Sequence, residues 1–410
     1  MASSGAMEAP LQPPLAGLPQ ERPTDWAAVT ALITCIGVFG LALGLTYPLL
    51  SIMMVEAGFS DFMIGLNGAT TCVGVVLAVF VLPRLLHRFG AFAVVVLGLV
   101  GTAASLLAMP FTDPEVSWLA LRILLGFCLN VIFVVSEAWL NSVTAERIRG
   151  RVIGVYATVM AAGFALGPLL LVMLGGAGLL PFFVCAAIIA ASIVMILPLR
   201  RRSAAELAGM RLANLRRFLA VAALLAGVVM VFAFFDAAVM TLIPVYMLRS
   251  GFTAEIGATA LSAMLVGMVL AQYPVGWLLD RFSRPGVIAG CSLVAAVACA
   301  LLPWSLALPA VMWPLLVLLG GVSFALYTGA LTVLGEHFRG SLLLAGSACF
   351  ALAYGIGGTF GPLAGGAMLQ AFGPDSMPGL FAVVFLGLAA LVARRPLAKA
   401  SDKPGTAGAV

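Results

Sequence analysis

The chain has 410 residues, 63% of them hydrophobic and 9% charged, with a net charge of +5 and a mean hydropathy of +1.17. A soluble globule carries about a quarter charged residues, so no water-soluble fold hides this much apolar surface. About 20 apolar residues cross the hydrocarbon core, and this length accommodates about a dozen passes joined by short loops.

In chain order, residues 1–26 form a Pro-rich tail of mixed charge. The apolar run after Asp25 is too long for the core of a cleaved signal, so the tail is expected to be disordered and retained. Twelve spans follow, near 27–54, 62–82, 91–109, 116–140, 151–173, 181–199, 218–247, 256–279, 286–303, 309–334, 342–371 and 377–393. The basic stretch 200–217, RRRSAAELAGMRLANLRR, divides them into one six-helix bundle over 27–199 and another over 218–394. Its arginines suit a linker lying on anionic headgroups. Residues 395–410 form a second tail. The seven cysteines fall inside apolar runs without a CxxC pair, the pattern of small buried residues rather than of disulfides or a metal site.

Loop Arg and Lys set the orientation of such a chain. With the N-terminus inside, nineteen of the 21 basic residues lie on the cytoplasmic side. Arg249 falls outside and Arg122 lies within a span. Both termini are therefore expected in the cytoplasm. Two lysines against nineteen arginines, and no N-x-S/T acceptor, point to a bacterial cytoplasmic (inner) membrane.

The two halves are related by a repeat. Gly58-Phe59-Ser60 recurs as Gly251-Phe252-Thr253, and Arg88-Phe89 as Arg281-Phe282, each 193 residues later. Gly167-Pro168 recurs as Gly361-Pro362, 194 residues on, and Arg149-Gly150 as Arg339-Gly340, 190 on. Four pairs at nearly one offset imply two pseudo-symmetric bundles.

Three further elements carry a resemblance. The loop after span eight runs Gly276-Trp277-Leu278-Leu279-Asp280-Arg281-Phe282-Ser283-Arg284, and span four holds Arg122-Ile123-Leu124-Leu125-Gly126. Span eleven carries Gly357, Gly361, Pro362, Gly365 and Gly366, and span five a shorter version with Gly163, Gly167 and Pro168. In these the chain resembles the major facilitator superfamily over everything after residue 26. Its Ser136-Glu137-Ala138-Trp139-Leu140-Asn141 segment is most similar to an uncharacterised bacterial YcaD-like branch, which supplies no substrate. The resemblance implies twelve transmembrane helices in two rocking bundles with a midplane site. It also implies a cytoplasmic latch from Asp280 and Arg281. The first-half loop keeps Arg88 but has His87 in the acidic position, where a solvated histidine is the simpler reading.

Charges inside a span cost about 2.5–3.5 kcal/mol on insertion scales, so Arg122, Glu137 and Asp236 ask for a reason. At 100° per residue, Arg122, Gly126, Asn130, Phe133 and Glu137 fall within an arc of about 80°. This stripe is expected to face the central cavity. Arg122 and Glu137 lie about 22 Å apart along the helix and need partners elsewhere. Asp236 is a candidate proton carrier, with structural pairing as its alternative and a trans pair with Arg122 as one form of it; Glu137 is divided between coupling and snorkelling to the interface. Tyr47 and Gln272 are further candidates for the pathway, or for helix packing.

The expected function is secondary transport of a small solute by alternating access, coupled to protons and directed to efflux of an amphipathic compound. A second reading is uptake or facilitated diffusion of a small anion held by Arg122. Enzyme or receptor roles are disfavoured, because His87 and His337 lie outside the spans and no nucleophile–base or metal-ligand set is evident. The expected partners are the solute and the lipid bilayer, without nucleic acid, cofactor or metal, and the working unit a monomer.

Overall fold

The structure is a computed structural model that describes residues 24–201 without Ala177, residues 212–338, residues 340–395, and Leu397. Most of both expected tails, residues 202–211 of the expected linker and Arg339 lie outside the described residues. Twelve α-helices account for the described chain: α1 (Trp26–Glu56), α2 (Asp61–Ala108), α3 (Ser117–Val143), α4 (Arg149–Met173), α5 (Leu180–Ile196) and α6 (Leu212–Arg249) in order, then α7 (Ala254–Leu270), α8 (Gln272–Arg281), α9 (Arg284–Ser305), α10 (Pro309–His337), α11 (Gly340–Phe372) and α12 (Ser376–Arg394). No strand occurs among the described residues. Lipid offers backbone groups no partners, so a chain this apolar satisfies them within helices.

Helices and spans do not correspond one to one. The 48 residues of α2 measure about 72 Å at 1.5 Å per residue, over twice the hydrocarbon thickness of ~30 Å. Gly90, at φ 76° and ψ 164°, breaks it into spans two and three. Conversely, α7 and α8 meet at 40° and make one bent span eight. The expected twelve spans stand, with span eight broken at Ala271 rather than continuous.

The linker boundary shifts, since residues 212–217 are already helical and belong to α6. At the other end, Thr24 and Asp25 are tied to the end of α3: the Asp25 N–H donates to the Val143 carbonyl at 3.1 Å, and the Ala145 N–H to Thr24 Oγ1 at 3.0 Å. Asp25 also caps α1, accepting from the Ala28 N–H at 3.2 Å.

The repeated Gly-Phe-Ser/Thr motif is a turn. Gly58 and Gly251 stand at φ 80° and 90°, a left-handed conformation that a Cβ disfavours. Two residues on, Ser60 accepts from the Met63 N–H and Thr253 from the Ile256 N–H, capping the next helix. The other loop pair diverges for a physical reason. Gly90 is left-handed, whereas Ser283, its counterpart, sits at φ −62° and ψ 131° and needs no glycine.

Helices with nothing but apolar surface gain little by excluding lipid from each other, so association depends on close approach at small residues. A Cβ on Gly163 or Gly167 of α4 would strike the backbone of α1 near Gly37 or Gly44. A Cβ on Gly357 or Gly361 of α11 would likewise strike α6 at Met230 or Phe234. The second seam also repeats. Gly74 and Gly126 bring α2 against α3, and Gly267 and Gly320 bring α7 against α10.

Replacing Gly361 by Ala should therefore destabilise the fold by about 1–3 kcal/mol, the usual cost of overpacking. The same change at Gly227, where a Cβ meets open space, should be neutral. Thermal unfolding of the two purified variants in detergent checks the contrast.

Candidate functional site

The Arg-bearing loops define a basic face; Glu56, Asp61, Asp113, Glu115, Glu255 and Asp375 mark the opposite, acidic face. The hydrogen bonds described between the bundles lie on the acidic side of the midplane. Arg249 at the end of α6 reaches Asp61 at the start of α2 through Nε and Nη2, both 2.9 Å from Oδ1. Gln370 Oε1 accepts from the Phe62 N–H at 3.2 Å, and Ser262 on α7 donates to the Ala165 carbonyl on α4 at 3.1 Å. Below them, Gly65 and Gly366 bring α2 and α11 into backbone contact. This conformer is sealed towards the acidic face.

The stripe on α3 does not face an open cavity along its length. Arg122 is fully buried; its Nε donates to Asn67 Oδ1 at 3.0 Å, and its guanidinium lies 4.5 Å from the Tyr47 ring centroid. Gly126 meets the Thr71 carbonyl, and Asn130 Nδ2 approaches the Val75 carbonyl at 3.5 Å. Asn67, Thr71 and Val75 are four residues apart, so the stripe docks on the matching face of α2. The expectation of a cavity-lining stripe is corrected here: the glycines at 74 and 126 let the helices close on one another. Phe133 turns to α1 and stacks on Phe39 at 5.7 Å.

Only the basic end of the stripe is left over. Glu137 is partly buried and its carboxyl has no side-chain hydrogen bond among the described residues; Asn141 donates instead to its backbone carbonyl at 3.0 Å. Tyr156 of α4 engages the residue before it, its hydroxyl 2.9 Å from Ser136 Oγ. Gln272 is exposed at the α7–α8 bend.

Asp236 sits midway along the straight part of α6. Its Oδ2 accepts from the Tyr354 hydroxyl of α11 at 2.7 Å. It forms no ion pair with Arg122, so the two charges are not the trans pair considered from sequence; each takes a neutral partner.

On the basic face, Asp280 and Arg281 are exposed and form no ion pair with each other among the described residues. Arg281 lies over the Trp277 ring at 5.5 Å and Arg88 over Phe89 at 5.3 Å. The ion pair here runs from Arg284 Nη2 to Glu336 Oε1 at 2.6 Å, and Arg284 Nη1 also donates to the Leu279 carbonyl. Glu336 had no signal in the sequence beyond its place near a loop, and neither did the Asp61–Arg249 pair. The lone basic residue on the acidic face was the available clue.

Two bundles, each fastened along glycine seams, with ionisable groups trapped near the midplane, define a membrane carrier. The family profile of the Major Facilitator Superfamily matches residues 32–265 and 225–409, and the chain belongs to that family. It is a multi-pass secondary transporter of a small solute, not an enzyme. It is 26% identical over 348 residues to the uncharacterized MFS-type transporter YfkF of Bacillus subtilis, covering 83% of this chain and 88% of that one. It is 24% identical over 342 residues to YcaD of Salmonella arizonae, covering 82% and 87%. Among solved structures it is similar to the nucleoside transporter NupG, with TM-score 0.70, 14% identity and coverage of 90% and 97%. The D-xylose-proton symporter gives 0.69, 15%, 90% and 97%.

The seal is open to test. A partly exposed ion pair contributes on the order of 0.2–1 kcal/mol, so Asp61→Asn should shift the conformers by up to about fivefold. Cys72, buried under the α2–α11 contact, serves as reporter in a background lacking the other cysteines. Asp61→Asn should speed its labelling by an impermeant thiol reagent added from the acidic face, and the charge swap Asp61→Arg with Arg249→Asp should slow it again.

Proposed function

We propose that this transporter exports an amphipathic compound in exchange for protons, with Asp236 carrying the proton and Glu137 a second carboxyl on its path. The carrying observation is the setting of Asp236. It is a carboxyl at the midplane with one neutral hydrogen-bond donor and no ion pair to a cation, beside a pocket walled by aromatic and methionine side chains. A lone acid in hydrocarbon is held by a proton or by a ligand. Such walls suit an apolar body better than a sugar-like one. The basic face is taken as cytoplasmic, which puts both termini inside a bacterial cytoplasmic membrane. The unit is a monomer that uses no cofactor.

A second reading draws on Arg122. Its Nη1 and Nη2, the Asn67 Nδ2 and the Thr71 hydroxyl are buried together without hydrogen-bond partners. Unpaired donors at one place suit a small carboxylate or phosphate. Uptake of such an anion, driven by an acidic exterior, would replace the export reading.

Proteoliposomes under an imposed pH gradient test the coupling with a panel of amphipathic compounds. Asp236→Asn, which cannot exchange a proton, should lower gradient-driven transport at least tenfold, and Glu137→Gln should lower it as well. Wild-type rates in both variants would remove the coupling assignment.

A further inference from the structure

We propose that a groove on the outer flank of the second bundle binds the methyl end of a phospholipid acyl chain. The site goes beyond the transport reading and is independent of which solute is carried. Met230, Val231 and Phe234 of α6 form its floor, Ile356, Gly357 and Phe360 of α11 line one side, and Val384 of α12 the other. Position, depth and lining together select the occupant.

On α11, Ile356 stands about 160° round the helix from both Tyr354 and Gly358. Those two residues face Asp236 of α6 and Cys72 of α2, so the groove lies on the flank turned away from the carboxyl and from the other bundle. Nearer the acidic face, α12 meets α11 where Met377 and Phe381 stand at Gly365; the groove opens between the two helices towards the basic face. Ile356 and Phe360, 45% and 60% exposed, form its mouth, and around a span the medium is lipid tail. Phe234 is 17 residues from Arg217 and 15 from Arg249, roughly 26 and 22 Å of helix. The middle of a ~30 Å hydrocarbon core falls here, the depth at which acyl chains end.

The lining is wholly apolar and leaves about 180 Å³ of room. An apolar cavity of ~150 Å³ takes up benzene, so the groove accommodates about six or seven carbons of a chain. A headgroup or the polar part of a solute would find no partner there. The hollow follows from the seam beside it. A side chain at 357 would strike the Met230 carbonyl and crowd the Phe234 N–H, so the close contact of α6 and α11 leaves the space next to Gly357 unfilled. Unfilled space forfeits dispersion contacts along its wall. A chain end supplies them, and it enters from the bilayer without desolvating a polar group. The lipid thereby completes the packing behind the helix that carries Tyr354.

The test is photo-crosslinking of the full chain in phosphatidylcholine vesicles that contain a trace of phosphatidylcholine with a diazirine on the last carbon of one chain. A second lipid, with the diazirine near the headgroup, serves as the depth control, and peptide mass spectrometry reads the sites. Leu293 and Val297, 49% and 51% exposed in the middle of α9, report the ordinary lipid shell. The chain-end probe should label the 230–234 and 356–360 segments at least fivefold more per residue than 293–297, and the headgroup probe should not. Val384→Phe and Ile356→Phe, which fill the groove from opposite walls, should each cut that labelling at least fivefold and leave α9 unchanged. Unfolding curves in detergent show that both variants are folded. Equal labelling of the groove and α9, equal labelling by the two probes, or labelling unchanged in a folded filled variant would overturn the assignment. Displacement of the label by amphipathic compounds of the transport panel would make the groove a solute site and overturn it as well.

Discussion

Backbones in this molecule meet where glycine lets them. Lipid tails are as apolar as leucine, so two helices gain by touching only when their surfaces come close enough for dense contact and shared polar partners. Here the requirement is met twice in each bundle, at α1–α4 and α2–α3 in the first and at α6–α11 and α7–α10 in the second. Those four seams set where every other side chain can go. Arg122 is buried because Gly74 and Gly126 draw α2 over it. Asp236 faces a pocket because Gly267 and Gly320 hold α7 and α10 together beside it.

The architecture was legible because its signals are local. Gly58 and Gly251 each end a helix at positive φ, and Ser60 and Thr253 each start the next; a turn of this kind leaves a short, countable trace at a fixed spacing. The Gly-Pro elements of spans five and eleven leave a similar trace. The break at Ala271 also leaves a trace, Pro274, which has no N–H to give the Leu270 carbonyl, but it stands inside a run otherwise continuous in hydropathy.

The site was less legible because periodicity gives a face but not the neighbour of that face. The α3 stripe was found from its angles, yet Asn67, Thr71 and Val75 form a matching row on α2 that receives it. The glycines at 74 and 126 were the missing half of that inference. Tyr354 as the partner of Asp236 depends on how α11 sits against α6, a long-range contact of 118 residues in sequence. Neither the Asp61–Arg249 nor the Arg284–Glu336 pair follows from spacing along one helix. Asp280, which the resemblance placed at the latch, is exposed in this conformer.

The two faces of α11 have different jobs. Gly357 and Gly361 fasten it to α6 inside its own bundle, while the Pro362 carbonyl and Gly366 rest against Gly65 and Asp61 of the other bundle. Near the acidic face the touching surfaces are bare backbone, while further along the side chains of Cys72 and Val76 seat against Gly358 and Gly355. Ridged helices must climb out of register to slide, one residue row at a time. Two smooth strips can glide through small displacements, so the rim of the joint is built as a plain bearing, and Cys72 and Val76 are the pegs that keep its register further in.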